Sequence, residues 1–217
     1  MKDTILSLSG GLDSSSLLYE FKDRIALAVS FKYPSNHNSR EIAAAKAVIK
    51  PLGIPHKVIN VNKVFMDFKS ALLAGADAVP NAKYSKESIS QLVVPFRNGI
   101  FLSILAGLAD SMGLKYIALA NHGGDHFIYS DCRPEFTEAM NKAIILGTQN
   151  NIEFFSPYVN ISKNEVALRG VKAGLNPYKT YSCYKGEQKH CGVCPTCIER
   201  AEAISYAFAE MAGSPRP

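Results

Sequence analysis

The chain has 217 residues, a hydrophobic fraction of 47%, a charged fraction of 20% and a net charge of +5. It is long enough to bury one sizeable core, and too apolar and too sparsely charged for a disordered chain. Lys and Arg are scattered rather than gathered into a stripe, which suits anionic small substrates and argues against a nucleic-acid partner; no apolar run reaches the length of a membrane span or a secretory leader, so a cytoplasmic protein without membrane contact is expected.

The first apolar run, Thr4 to Ser9, reads as a strand that enters Ser9-Gly10-Gly11-Leu12-Asp13-Ser14-Ser15, and a helix is predicted from Ser14 to Phe21. Strand, glycine turn and helix start, in that order, expose free backbone N–H groups to an anion, and the glycines let the backbone approach a phosphate closely. The lysine of a Walker A loop is missing, so this is not a standard P-loop. The turn has instead the S-G-G-x-D-S-S form of the PP-loop and resembles that of the ATP pyrophosphatases. Asp13 is read either as a Mg²⁺ ligand or as a plain helix cap. The resemblance implies cleavage of ATP between the α and β phosphates. It places Ser9, Gly10, Gly11, Leu12, Asp13, Ser14 and Ser15 around the phosphates, and the adenine against the backbone at Ser30 and Phe31, near the end of the second strand.

Further strands are predicted at Ile25 to Phe31, Lys57 to Val61 and Tyr116 to Ala120. They alternate with helices at Ser39 to Leu52, Arg97 to Met112, Pro134 to Leu146, Ser162 to Ala173 and Cys197 to Met211. Such alternation implies right-handed βαβ units and a parallel sheet covered on both faces, with ligands beyond the carboxyl ends of the strands. Weak periodicity from Phe65 to Leu92 marks a lid or a subunit contact. The expected division is a PP-loop unit over 1–180, a metal-binding segment and closing helix over 181–212, and a disordered tail over 213–217.

Four cysteines, Cys183, Cys191, Cys194 and Cys197, fall within fifteen residues. In a reducing compartment such a cluster reads as metal binding rather than as a disulfide framework. Four sulfurs without histidine favour a closed tetrahedral zinc site, and an iron–sulfur cluster is the next candidate. Cys132 is read as a packed thiol and His190 as a solvated turn residue or a spare ligand, while His37, His56, His122 and His126 show no metal spacing.

With these residues in view, the chain resembles the 7-cyano-7-deazaguanine synthase family over nearly its whole length. The landmarks are Ser9 to Ser15; Val94-Pro95-Phe96-Arg97-Asn98; Tyr129-Ser130-Asp131-Cys132-Arg133-Pro134-Glu135-Phe136; Ser162-Lys163-Asn164-Glu165; Thr180-Tyr181-Ser182-Cys183-Tyr184; and the cysteines followed by Arg200. The resemblance implies an α/β fold with a parallel five-stranded Rossmann-like sheet of the PP-loop ATPase type, helices on both faces and a C-terminal four-cysteine zinc-binding segment. It implies a ligase that uses ATP, Mg²⁺ and ammonia to turn 7-carboxy-7-deazaguanine into an amide and then a nitrile, in the queuosine pathway and as a homodimer. Asp13, Ser14, Arg97 and Lys163 would be catalytic, and Asp125, Tyr129, Asp131 and Arg133 would face the deazaguanine. The bland rivals are surface ion pairs for Arg97 and Arg133 and a helix cap for Asp131.

The sequence departs from the family's pattern in two places. Tyr33-Pro34-Ser35-Asn36-His37 stands where Tyr-Gly-Gln and a basic residue usually precede His, and Phe127-Ile128-Tyr129-Ser130-Asp131-Cys132-Arg133 stands for Ser-Gly-Tyr-Pro-Asp-Cys-Arg. These departures keep open a variant that joins the acid to another amine, such as a protein amine in anti-phage defence, and stops at the amide. A tRNA-modifying PP-loop module is the alternative of another class.

Overall fold

Consecutive residues of a strand point to opposite faces, and here each face has its own core. Ile5, Val29, Ile117 and Phe154 join one apolar cluster, whereas Leu6, Ala28, Ala118 and Phe155 join the other. A strand buried on both sides must be apolar at nearly every position, which is why the runs at Thr4 and Ile25 show no alternation. The computed structural model describes residues 2–73 and 91–213. Residues 74–90 of the stretch read as a lid or subunit contact, and the tail from 214, lie outside them.

The strands are β1 (Thr4–Ser7), β2 (Ile25–Lys32), β3 (His56–Asn60), β4 (Tyr116–Ala118) and β5 (Glu153–Phe155). They form one five-stranded sheet, all parallel, in the order β3-β2-β1-β4-β5. The described helices of four residues or more are α1 (Leu12–Glu20), α2 (Asn38–Ile49), α3 (Asn62–Phe65), α4 (Arg97–Ser111), α5 (Pro134–Gly147), α6 (Lys163–Lys172) and α7 (Pro195–Met211). Helices α4 and α5 cover the first face; Phe31 stacks on Phe101 of α4 with ring centroids 4.0 Å apart. Helices α1, α6 and α7 cover the second, joined there by Ala45 and Val48 of α2.

The chain builds β1, β2 and β3 outward in one direction, then returns to place β4 on the other side of β1. The carboxyl ends of β1 and β4 therefore diverge into a crevice, the position at which open parallel sheets bind ligands. Five strands agree with the expected sheet, and β5 is the one that no residue range anticipated.

Candidate active site

The chain leaves β1 at Ser7 and turns sharply at Gly10, which has φ +92°. A Cβ there would collide with Glu41 O and Ala45 N of α2, so only glycine permits the turn to lie against that helix. The two serines then lock the turn. Ser9 N–H donates to Ser14 Oγ at 3.2 Å, the two hydroxyls meet at 2.9 Å, and Gly11 N–H donates to Ser9 Oγ at 3.1 Å. Gly11 occupies the cap position of α1, leaving Asp13 in the first helical turn with its carboxylate free for other partners. The helix-cap reading of Asp13 is thereby excluded.

Those partners come from far along the chain. Asp13 Oδ2 lies 3.2 Å from Lys163 Nζ at the start of α6, and Lys163 in turn lies 3.7 Å from Glu199 Oε2 on α7. Asp13 Oδ1 faces His122 Nε2 at 3.8 Å, and His122 Nε2 is 3.6 Å from Asp125 Oδ2. His122 Nδ1 accepts from Gly124 N–H at 3.1 Å, so the ring proton sits on Nε2 and is aimed between the two carboxylates. Burial would push Asp13 upward, but Lys163 and His122 outweigh it and hold the carboxyl below its ordinary range. Burial likewise works against the charge of Lys163, yet Asp13, Glu199 and Asp125 keep its pKa above the usual lysine value.

A cavity of about 190 Å³ opens at the carboxyl ends of β1 and β4 and is lined by Asp13, Asp125, Lys163 and Glu199 together with residues of the glycine turn. Of the positions expected around ATP, Ser9, Gly11, Asp13, Ser14, Ser30 and Phe31 line it, whereas Gly10, Leu12 and Ser15 stand behind them as backbone and core. Arg97 also lines the cavity and donates from its guanidinium to Tyr33 Oη at 3.2 Å. The backbone at Phe96 is left-handed, φ 52°, which starts α4 abruptly and presents Arg97 in the first turn.

Asp125 and Tyr129 also line the cavity. Asp131 and Arg133 do not, for visible reasons. Asp131 Oδ2 accepts from Asn98 N–H at 2.9 Å, so its carboxylate caps α4 rather than the helix that follows it. Arg133 is exposed and donates through Nε to His126 O at 3.0 Å. Cys132 is buried as expected, accepting from Asn98 Nδ2 at 3.2 Å. Not assigned to the site from the sequence are His37, Glu41, Asn121, Tyr184 and Glu199, which line the cavity, and His122, which stands beside Asp13 and Asp125. One pattern could have found His122: Ala120-Asn121-His122-Gly123-Gly124-Asp125 follows β4 with the same glycine pair and aspartate that follow β1.

The four cysteine sulfurs lie within 4.8 Å of one another, and Cys191 Sγ is 3.9 Å from Cys197 Sγ. Zinc–thiolate bonds of about 2.3 Å arranged tetrahedrally put sulfurs about 3.8 Å apart, so the set fits a closed zinc site. His190 is not a solvated turn residue: its Nε2 accepts from Ser182 N–H at 3.2 Å and its ring lies 4.9 Å from that of Tyr181. The segment is tied to the glycine turn, because Tyr181 N–H donates to Gly10 O at 3.0 Å. Arg200 is 9% exposed and donates to Pro177 O at 2.6 Å and Thr180 Oγ1 at 3.2 Å, pinning the approach to the first cysteine. Ser182 and Tyr184 thereby reach the cavity wall, where Tyr184 Oη meets Tyr129 Oη at 2.9 Å.

Residues 3–208 match the family model described as queuosine biosynthesis protein QueC. The chain is 45% identical over 206 residues to a 7-cyano-7-deazaguanine synthase of Porphyromonas gingivalis, covering 95% of this chain and 94% of that protein. It is 41% identical to the protein of the same name from Desulfotalea psychrophila, covering 95% of each chain, and 42% identical to that of Methanoregula boonei, covering 94% and 95%. Among solved structures it is similar to the NMN synthetase of Francisella tularensis, with a TM-score of 0.51 and 15% identity over 100% of this chain and 79% of that one, a likeness of fold alone.

Proposed function

The chain belongs to the family of queuosine biosynthesis protein QueC, and from that membership we propose that it adenylates 7-carboxy-7-deazaguanine with ATP and couples the activated acid to ammonia. The observation that carries the reading is the meeting of the glycine turn, Asp13, Lys163 and Arg97 on one cavity that Asp125 and Tyr129 also line.

A carboxylate is a poor electrophile because its hydroxide-like leaving group is poor. The reading supplies a better one. A carboxylate oxygen of the acid attacks the α-phosphorus, the α–β bond breaks, and pyrophosphate leaves an acyl adenylate. Ammonia then displaces AMP and gives the amide. A second adenylation on the amide oxygen, followed by loss of AMP, gives the nitrile. Crowded negative charge on the phosphates is the dominant obstacle, and fixed donors and cations aimed at it are the effective remedy. The free N–H groups at the start of α1, the Ser9 and Ser14 hydroxyls, Lys163 and Arg97 are those sources. Asp125 and Tyr129 are assigned to the deazaguanine edge, whose N–H donors a carboxylate accepts. Asp131 acts at one remove, by capping the helix that carries Arg97.

Asp13 Oδ1 is buried and has no hydrogen-bond partner among the described residues, which fits a Mg²⁺ ligand; the ion when bound would neutralise phosphate charge. Cys183, Cys191, Cys194 and Cys197 would hold zinc in a structural role.

Mass spectrometry of the products formed from ATP, Mg²⁺, 7-carboxy-7-deazaguanine and ammonium tests the reading. Amide and then nitrile, with AMP and pyrophosphate, are expected. Unchanged acid without AMP refutes it. AMP release without nitrile shifts the assignment to the amide-forming variant with another amine, a protein amine included.

A further inference from the structure

The start of α2 carries two side chains that the scheme above leaves idle. His37 is 2% exposed and the Glu41 side chain 14% exposed, yet both line the cavity, with His37 Nε2 3.7 Å from Glu41 Oε2. Their placement is built in detail. Ser35 Oγ meets His37 Nδ1 at 3.0 Å and accepts from its backbone N–H at 3.4 Å, so the serine that replaces the family's usual glutamine steadies the ring. The other side of His37 meets the Tyr184 ring, centroids 5.3 Å apart. Asn38 Nδ2 donates to Phe31 O at 2.9 Å and fixes the helix start to the end of β2. Glu41 lies where α2 touches Gly10, beside the turn assigned to the phosphates.

Resting on the reaction assigned above, we propose that Glu41 is the base that takes a proton from the incoming amine, with His37 as its positioning residue. Ammonia reaches the site in water chiefly as ammonium and has no lone pair to offer. The Glu41 carboxylate removes one N–H proton; the freed pair forms the C–N bond at the acyl carbon while the C–O bond to AMP breaks, and AMP leaves with those electrons. A further N–H proton passes to water as the amide forms. Burial pushes Glu41 up to about 8 against the pull of Arg97. A base with a pKa that high is far better matched to ammonium than an ordinary carboxylate. Burial, then Arg97, lowers His37 to about 3, so the imidazole beside it is neutral and does not compete for the proton. The titratable and charged groups facing the pair are Tyr33 at the end of β2, Arg97 on α4 and Tyr184 from the cysteine segment.

The test compares wild-type protein, Glu41→Gln and Glu41→Asp in three readouts: pyrophosphate exchange dependent on 7-carboxy-7-deazaguanine, amide formation with ammonium, and hydroxamate formation with hydroxylamine, which is already neutral near pH 7. Glu41→Gln is expected to lower amide formation by about 100-fold, the lower end of what a positioned base contributes. Hydroxamate formation and the exchange should persist, and Glu41→Asp should restore part of the amide rate. The wild-type ammonium rate should rise through about pH 8 more steeply than the Glu41→Gln rate. Equal losses with both amines, loss of the exchange itself, or no loss with ammonium would each overturn the proposal. Wild-type protein without exchange would overturn the assigned reaction and this inference with it.

Discussion

Replacing Asp13 by Asn keeps the shape of the side chain and removes the charge that faces Lys163 at 3.2 Å and His122 at 3.8 Å. At an effective dielectric of about 20, a unit pair at the Lys163 distance is worth about 5 kcal/mol before any costs. Two features shrink that figure: the side chains are 26% and 17% exposed, and Glu199 remains 3.7 Å from Lys163 as a second anion. A net loss of about 2 kcal/mol, in the range for hydrogen bonds to charged groups, is expected, equivalent to roughly 4 to 8 °C in Tm for a chain of this size. The sign with pH follows from the depressed carboxyl: its contribution is complete above the unfolded carboxylate range and disappears as pH falls through the lower folded value. The Tm gap between wild type and variant should therefore close in acid. Pyrophosphate exchange should fall further than stability, by about 100-fold or more, because charge stabilisation at the reacting phosphate is a transition-state effect. Differential scanning fluorimetry across pH, with exchange kinetics on the folded variant, reads both. A folded Asp13→Asn protein with near wild-type exchange would refute the assignment of this carboxylate to the reaction.

Gly10→Ala should destabilise the fold by about 3 kcal/mol or more, since the new methyl meets α2 backbone at a left-handed φ; a variant melting near the wild type would contradict the packing of the turn on α2. Arg133→Ala should change stability by less than about 0.5 kcal/mol and leave the KM for the deazaguanine acid unaltered, as expected of an exposed side chain; a large rise in KM would bring Arg133 back to the substrate. Elemental analysis should find one zinc per chain, and Cys194→Ser should lower both Tm and exchange, because Ser182 and Tyr184 reach the cavity from the same segment; loss of metal with full exchange would separate the two.

What could be read without coordinates was whatever lies close together in sequence. The glycine turn and the cysteine spacing are local patterns, and the apolar runs of β1 and β2 report burial on both faces directly. Glu153-Phe154-Phe155 is too short to show any period, so β5 stayed hidden until Phe154 and Phe155 were seen feeding the two opposite cores. The resemblance named Asp13 and Lys163 together, but their pairing with each other, and with His122 and Glu199, was hidden for a different reason: Lys163 lies 150 residues away and arrives only because α6 packs on α1. Asp131 was expected at the deazaguanine, with a cap of the helix at Pro134 as the rival reading; it caps α4 instead, through a loop crossing that no local signal encodes. His37 and Glu41 were overlooked because burial, absent from any motif, is what distinguishes them from ordinary helix-surface residues.

Tying the cysteine segment to the glycine turn through Tyr181 N–H and Gly10 O also sets when in its synthesis the protein can begin to work. The first strand and turn emerge from the ribosome early, but Tyr158 must come back to Glu20 across 138 residues, Lys163 to Asp13, and Tyr181 to Gly10 before the cavity has its walls. Contacts of such long separation close slowly and late. A nascent chain stalled before Cys183 therefore carries the glycine turn and these distant partners but still lacks Tyr184, Thr196 and Glu199 of the cavity wall and the α7 side chains of the second core.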